Sequence, residues 1–162
     1  MPLAQARPLP QDESVLQFVI FQVGPQFFAV EINRVKEILR HRKVTSLPKA
    51  PTFLEGVIDL RGTLIPIIDL RKRFEVPPTY DQQTRIIVLR MKGKRIGLVV
   101  DCVQRVVTIP IGDIKAPPAI ARIHSGEHIL AVAKHENELY IILDLDRILS
   151  ANERMSLESV KL

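Results

Sequence analysis

The chain repeats itself, and that repetition limits what it can fold into. Placing residues 27–38 over residues 95–106, at an offset of 68, sets apolar on apolar at Phe28/Ile96, Val30/Leu98, Ile32/Val100, Val35/Val103 and Ile38/Val106. In the same frame Ala29 falls on Gly97 and Asn33 on Asp101. A second match follows at an offset of 75: residues 64–70 over 139–145, preceded by Leu54, Gly56 and Val57 over Ile129, Ala131 and Val132. Two matches in the same order at similar offsets indicate duplication. The difference between the offsets implies a longer loop around Pro117-Pro118 in the second copy.

Each copy reads as short strands joined by turns. Val15 to Val23 and residues 27–32 are rich in β-branched and aromatic side chains, and Gly24-Pro25-Gln26 breaks them as a hairpin turn would. Residues 33–39 fit either a strand or one helical turn. Residues 53–60 and 63–70 form a second pair around Arg61-Gly62, and Pro66 marks its strand as an edge or a bulge. Arg85 to Met91 and residues 95–100 form a third pair around Lys92-Gly93-Lys94, with a further strand at 103–109. Residues 129–133 and 139–145 make a fourth, and a short helix is expected from Asp146 to Leu149. Evenly spaced short strands favour small barrels over a parallel sheet. The expected fold is therefore mainly β: two small barrels, near the size limit for independent stability, burying apolar surface against each other.

Composition removes most other classes. Of 162 residues, 46% are apolar and 25% charged, which is globular and not disordered. A single cysteine, Cys102, excludes a disulfide framework and a thiolate zinc site. No apolar run is long enough to span a bilayer, and residues 1–14 lack the apolar core of a secretion signal, so a cytoplasmic protein with a flexible N-terminal tail is expected. The net charge of +5 is spread along the chain. Its densest clusters, Arg40-His41-Arg42-Lys43, Arg71-Lys72-Arg73 and Lys92/Lys94/Arg95, read as solvated rims. A small-barrel nucleic-acid-binding protein is the alternative that the charge supports. Without Trp, and with Tyr80 and Tyr140 isolated, there is no aromatic platform for bases.

No catalytic constellation emerges. His124 and His128 stand four apart without a third ligand, so no metal site is expected. Cys102 lacks a nearby His and reads as a small hydrophobe. Asp69 and Asp144 occupy equivalent positions in the two copies, which suits turn or capping work better than acid–base chemistry. What remains is a binding protein. Arg61, at a hairpin tip in a very apolar stretch, either braces loops with its five donors or meets a partner.

The run from Gly56 to Leu70, continuing to Phe74, resembles the signature of the CheW-like coupling proteins of bacterial chemotaxis. So do Ala29-Val30-Glu31-Ile32 followed by Val35-Lys36-Glu37-Ile38, then Leu47-Pro48, Ala50-Pro51 and Phe53, and later Gly97-Leu98-Val99-Val100-Asp101. The resemblance covers about residues 15–150. It implies two SH3-like five-stranded β-barrels packed side by side, approximately residues 15–78 and 79–150, with strand exchange between them left open. Short helical segments and a C-terminal helix in 151–162 complete the expected fold. It implies a non-enzymatic adaptor without cofactors, linking the cytoplasmic tips of chemoreceptors to the regulatory domain of a histidine autokinase. That adaptor works inside the cell in membrane-associated arrays, where couplers join in rings. The positions matching the family's receptor groove are Val35, Glu37, Ile38, Arg61, Val99 and Val100. The kinase face is placed only loosely, on the first barrel.

Overall fold

A computed structural model describes residues 14–118 and 129–148. The expected N-terminal tail, the His124/His128 pair and the C-terminal helix lie outside the described residues. The chain opens with a hairpin of β1 (Val15–Val23) and β2 (Gln26–Glu31). The ambiguous stretch that follows is both things it suggested: a 3₁₀ turn at Ile32–Arg34, then β3 (Val35–Arg40). Next come β4 (Gly56–Leu60), β5 (Thr63–Asp69) and the one-turn helix α1 (Leu70–Arg73). The second hairpin is β6 (Arg85–Met91) and β7 (Lys94–Val100), followed by β8 (Cys102–Pro110). After another 3₁₀ turn come β9 (Ile114–Lys115), β10 (Ile129–His135) and β11 (Glu138–Leu143). Residues 145–147 form a turn, and Leu149, the end of the expected short helix, lies outside the described residues.

These strands build two curled sheets, consistent with two SH3-like barrels. One runs β9-β10-β11-β2-β1-β8 and the other β3-β6-β7-β5-β4. We call them barrel I and barrel II. The repeat offsets superimpose β2 on β7, β3 on β8, β4 on β10 and β5 on β11. Carried onto the sheets, with β6 matching β1, they give the five strands of barrel II the order of barrel I, whose sixth strand, β9, has no strand counterpart. Each hairpin, however, pairs with strands from the other copy: β1-β2 with β8 and β11, and β6-β7 with β3 and β5, while β10 and β4 follow in the same sheets through β11 and β5. The parallel pairs show this at residue level. Ala29 stands opposite Ile142 and Gly97 opposite Ile67, positions that the two offsets superimpose. A register irregularity recurs too, skipping Lys36 in β3 and Gln104 in β8. A boundary near residue 78 therefore falls between β5 and β6, inside one sheet.

Alternation decides which side chain enters which core. Phe18 and Ile20 of β1 point into barrel I with Val107, Ile109 and Tyr140. Val19, Phe21 and Val23 point the other way, into a core shared by both barrels. In β6, Ile86 and Val88 fill barrel II while Ile87, Leu89 and Met91 join the shared core. Both hairpins are thus buried on two faces, which is why they read as continuous apolar runs. Phe28 stacks between Phe21 and Phe74 in the shared layer, with centroids 5.8 and 5.0 Å away. Pro66 lies in an interior strand, not at an edge. It is tolerated because the parallel pairing of β5 with β7 begins one residue later, at Ile67.

The duplication leaves one asymmetry. Where barrel I carries Ala29, barrel II carries Gly97, and a Cβ there would stand 2.5 Å from Ile67 Cδ1 and 2.9 Å from Ile86 Cγ2. The Ile67 methyl can turn away, but the branched Ile86 cannot without moving β6. Gly97→Ala is expected to lower stability by about 1–3 kcal/mol through overpacking. A urea midpoint that falls with an unchanged m-value checks it.

Candidate functional site

Barrel II is closed by two devices. The chain leaving β3 turns back so that Thr45 and Val57 exchange backbone hydrogen bonds, at 2.9 and 2.8 Å. Along β3 itself the outer edge carries no ladder among the described residues, because β3 is an end strand pairing only with β6. That gap is bridged by side chains. Arg61 and Gly62 both have positive φ, 52° and 88°, as a type I′ hairpin turn requires. Asp59 Oδ1 accepts from the Gly62 N–H at 2.8 Å and holds the turn. The turn carries Arg61 across to Glu37 on β3, where the guanidinium donates to both carboxylate oxygens at 2.5 and 3.3 Å. The sequence alone leaves bracing and partner contact open for Arg61. Here it braces the gap, yet its side chain remains 67% exposed.

The bond from Arg61 holds the Glu37 carboxyl below its ordinary value of 4.5, with the nearby charges of Arg61, Arg42 and Arg95 adding to the effect. Because the folded pKa is depressed, the bridge is complete above the ordinary glutamate range and is lost as pH falls through the lowered value. Following the Glu37 side-chain carboxyl by NMR should show a low titration point that moves up in Arg61→Gln. An unchanged titration in that variant would mean that the bridge is not formed in solution.

Two of the expected site residues complete the rim. Ile38 is 39% exposed on β3, and Val35 is half-buried against the shared core. The other two do not reach the surface. Val99 is 2% exposed inside barrel II and Val100 fully buried in the shared core. The reason is position: β7 is an interior strand covered on both faces, so neither side chain offers a contact.

One cluster went unrecognised. The charge run predicts a solvated rim for Arg71, but its side chain is fully buried. Its Nε donates to Asp69 Oδ1 at 2.5 Å, and Nη1 donates to Asp101 Oδ1 and to the Thr79 carbonyl, both at 2.8 Å. The Tyr80 ring covers the guanidinium at 4.9 Å, and His41 packs on that ring. Burial works against the charge, but the bonds to Asp69 and Asp101 outweigh it and keep the Arg71 pKa above its ordinary value. Asp69 does cap α1, accepting from the Arg71 N–H at 2.9 Å, and Asp144 accepts from the Asp146 N–H in the equivalent place. Asp101 does more than shape a turn. Its Oδ2 accepts from the Gly24 N–H at 2.7 Å, which ties the β1-β2 hairpin of barrel I to barrel II through Arg71. The only sequence signal was Asp69, Arg71 and Asp101 standing at strand ends with unlike charge.

A family model described as "CheW-like domain" matches residues 17–153, through both barrels. The chain belongs to the CheW-like family. A curated "Chemotaxis protein CheW" of Klebsiella aerogenes is 32% identical over 145 residues, 89% of this chain and 87% of that one. "Protein FrzA" of Myxococcus xanthus is 32% identical over 149 residues, 90% of this chain and 89% of that one. The crystal structure of the scaffolding protein TtCheW from Thermoanaerobacter tengcongensis is 31% identical and superimposes with a TM-score of 0.79, covering 86% of this chain and 96% of that one. This CheW-like chain is thus a chemotaxis coupling scaffold, of a family that joins chemoreceptors and kinase in chemosensory systems. The comparisons give no support to a nucleic-acid-binding function. Among the described residues no helix is long and apolar enough to cross a membrane.

Proposed function

We propose that the β3 side of barrel II is where this coupler receives a chemoreceptor tip, while other barrel surface engages the regulatory domain of a histidine autokinase. The observation that carries this reading is the unladdered edge of β3, where exposed Ile38 and half-buried Val35 lie beside the Glu37–Arg61 bridge. Receptor tips are helical bundles, and an apolar rim with a charged pair at its edge suits one helix face. The coupler acts in membrane-associated arrays inside the cell, by binding alone. Its one thiol is a poor nucleophile: burial pushes the Cys102 pKa up, and the negative charges of Asp101 and Asp81 push it further. Weak single contacts gain strength from multivalency. Signal passes only if the kinase-on and kinase-off arrangements bind the coupler with different free energies.

The test is pull-down with a receptor cytoplasmic fragment and the kinase regulatory domain, together with kinase activity in a reconstituted array. Arg61→Ala is expected to melt close to wild type, since the pair it removes is solvent-exposed, while receptor capture and kinase activation fall. Unchanged activation would remove Arg61 from the site. Collapse of the melt would make it a structural brace only.

A further inference from the structure

Among the described residues the chain passes between the two barrels only twice. It leaves barrel I for barrel II after β2, through the 3₁₀ turn Ile32–Arg34, and returns after β7, at Asp101. The offset of 68 superimposes these crossovers, setting Asn33 on Asp101. Each crossover is tied to both barrels by charge. At the second, Asp101 Oδ1 accepts from Arg71 of barrel II, and Oδ2 accepts from the Gly24 N–H of barrel I. At the first, Arg34 Nη2 stands 3.5 Å from Asp146 Oδ1, just beyond β11 of barrel I, and Nε donates at 3.0 Å to the Arg90 carbonyl in β6 of barrel II. The offset of 75 superimposes Arg71 on Asp146, so the two corners carry an ion pair in the same place with the charges exchanged.

The corners differ in strength. Arg71 is fully buried, its partner Asp101 is 25% exposed, and they meet at 2.8 Å. The Tyr80 ring covers the guanidinium, and a Cβ at Gly24 would stand 3.0 Å from Val76 Cγ1, so this corner is close-packed. At the other corner Arg34 and Asp146 are 32% and 55% exposed, and no residue of the 3₁₀ turn is buried. Glu31 and Asp144 line the same cavity as this pair, and Asp144 stands 3.9 Å from Arg147, so Arg34 holds a corner with an excess of carboxylate. An exposed pair is weak and screened by salt, whereas a buried one is screened far less.

Two bodies joined at one stiff and one compliant point move by opening at the compliant one. We propose that Arg34 is the latch of a hinge between the barrels. The Arg71–Asp101–Gly24 corner is the fixed point, and release of Arg34 from Asp146 and from the Arg90 carbonyl lets barrel I shift against barrel II. The motion is a small shear of packed apolar side chains across the shared core, which stays closed. Val35 of the β3 rim follows Arg34 directly, so a partner seated on that rim bears on the latch. This consequence, unlike the latch itself, rests on the receptor reading. It gives the coupler two arrangements of the same barrels, which its partners can bind with different free energies.

Residual dipolar couplings of the full chain in a neutral alignment medium test the hinge, because they report the orientation of each barrel separately. In dilute salt one alignment tensor is expected to fit both barrels. Arg34→Gln should split it, with each barrel still fitting a tensor of its own and the melting point near wild type. Amide exchange at Val35, whose N–H closes the 3₁₀ turn on the Ile32 carbonyl, should quicken by up to about fivefold, the scale of an exposed pair. Gly24 and Asp101 should keep their rates. The proposal is overturned if one tensor still fits both barrels of Arg34→Gln. It is equally overturned if Gly24 and Asp101 quicken as much as Val35, which would mean general loosening instead of a hinge. Asp146→Asn leaves residue 34 untouched and should split the tensor too; a tensor left whole in that variant overturns the ion pair as the latch. A receptor cytoplasmic fragment separates the latch from the receptor reading. If the fragment leaves the β3 amides unmoved while Arg34→Gln still splits the tensor, the receptor reading fails and the latch stands. If it moves the β3 amides but leaves the wild-type tensor whole, the coupling of rim to latch is overturned.

Discussion

Arg71→Met should lower the melting temperature by about 10 °C or more, the largest loss expected from any one side chain in this chain. The substitution roughly preserves volume but leaves the carboxylate of Asp69, 2% exposed, without its cation. Removing one partner of a buried ion pair costs about 3–5 kcal/mol, because the remaining charge stays desolvated, and in a chain of this size each kcal/mol moves the melting point by about 2–4 °C. The loss is not confined to the pair. Arg71 also holds the Thr79 carbonyl and Asp101, and Asp101 holds the Gly24 N–H of the opposite barrel. Loosening should therefore spread to the 77–84 segment and to the β1-β2 turn. Hydrogen exchange would register this as faster opening at Gly24 and Asp101. Arg71→Lys retains the charge but lacks the fork that reaches Asp69 and Asp101 together, and should fall between. Replacing both partners, Arg71→Met with Asp69→Leu, should recover part of the loss, since no buried charge is then orphaned. A single variant melting within a degree of wild type would show that the network does not hold the barrels together.

That network marks where reading the sequence stops short. The repeat is legible because both copies must alternate apolar side chains in the same frame. The equivalence of Ala29/Ile142 with Gly97/Ile67 follows from it directly. The exchange of hairpins between copies is not legible. A period of two specifies which face a side chain takes, but not which sheet supplies the neighbouring strand. The same gap in knowledge misplaced Val99 and Val100: an apolar run names a strand, and only the sheet order shows that β7 is covered on both sides. Arg71 was hidden by its neighbours Lys72 and Arg73, which are exposed or half-exposed and look the same in a charge count. Its partner Asp101 is thirty residues away. The Glu37–Arg61 bridge of barrel II and its counterpart in barrel I, Arg105 facing Glu136 at 4.0 Å, lay within reach. The offsets that align the apolar residues also set Glu37 on Arg105 and Arg61 on Glu136, but unlike charges do not register as a match when the search is for similarity.

The second large effect is expected at Gly56, where the closure of barrel II and the geometry of its charged gap meet. Gly56 opens β4 with φ of 149°, and a Cβ there would stand 2.1 Å from the Thr45 carbonyl oxygen and 2.9 Å from Val44 Cγ1. The obstacle is backbone, so no rotamer relieves it. Thr45 must move away, and with it the two hydrogen bonds to Val57 that close the barrel. Gly56→Ala should therefore cost about 3 kcal/mol or more, combining the strained φ with the broken closure. The effect then reaches the site by a definite route. With Thr45 displaced, β3 is no longer anchored to β4, and the β4-β5 turn that carries Arg61 loses its fixed distance from Glu37. Unlike Arg61→Ala, which deletes the bridge on an intact barrel, Gly56→Ala leaves both charged residues in place and removes the geometry that brings them together. The two variants separate site from scaffold. Gly56→Ala should return the Glu37 carboxyl toward its ordinary titration range and lower the urea midpoint together, whereas Arg61→Ala should do only the first. A Gly56→Ala protein that keeps the depressed Glu37 titration would show that Thr45–Val57 pairing is not what positions Arg61, and that the gap is held by the Asp59-braced turn alone.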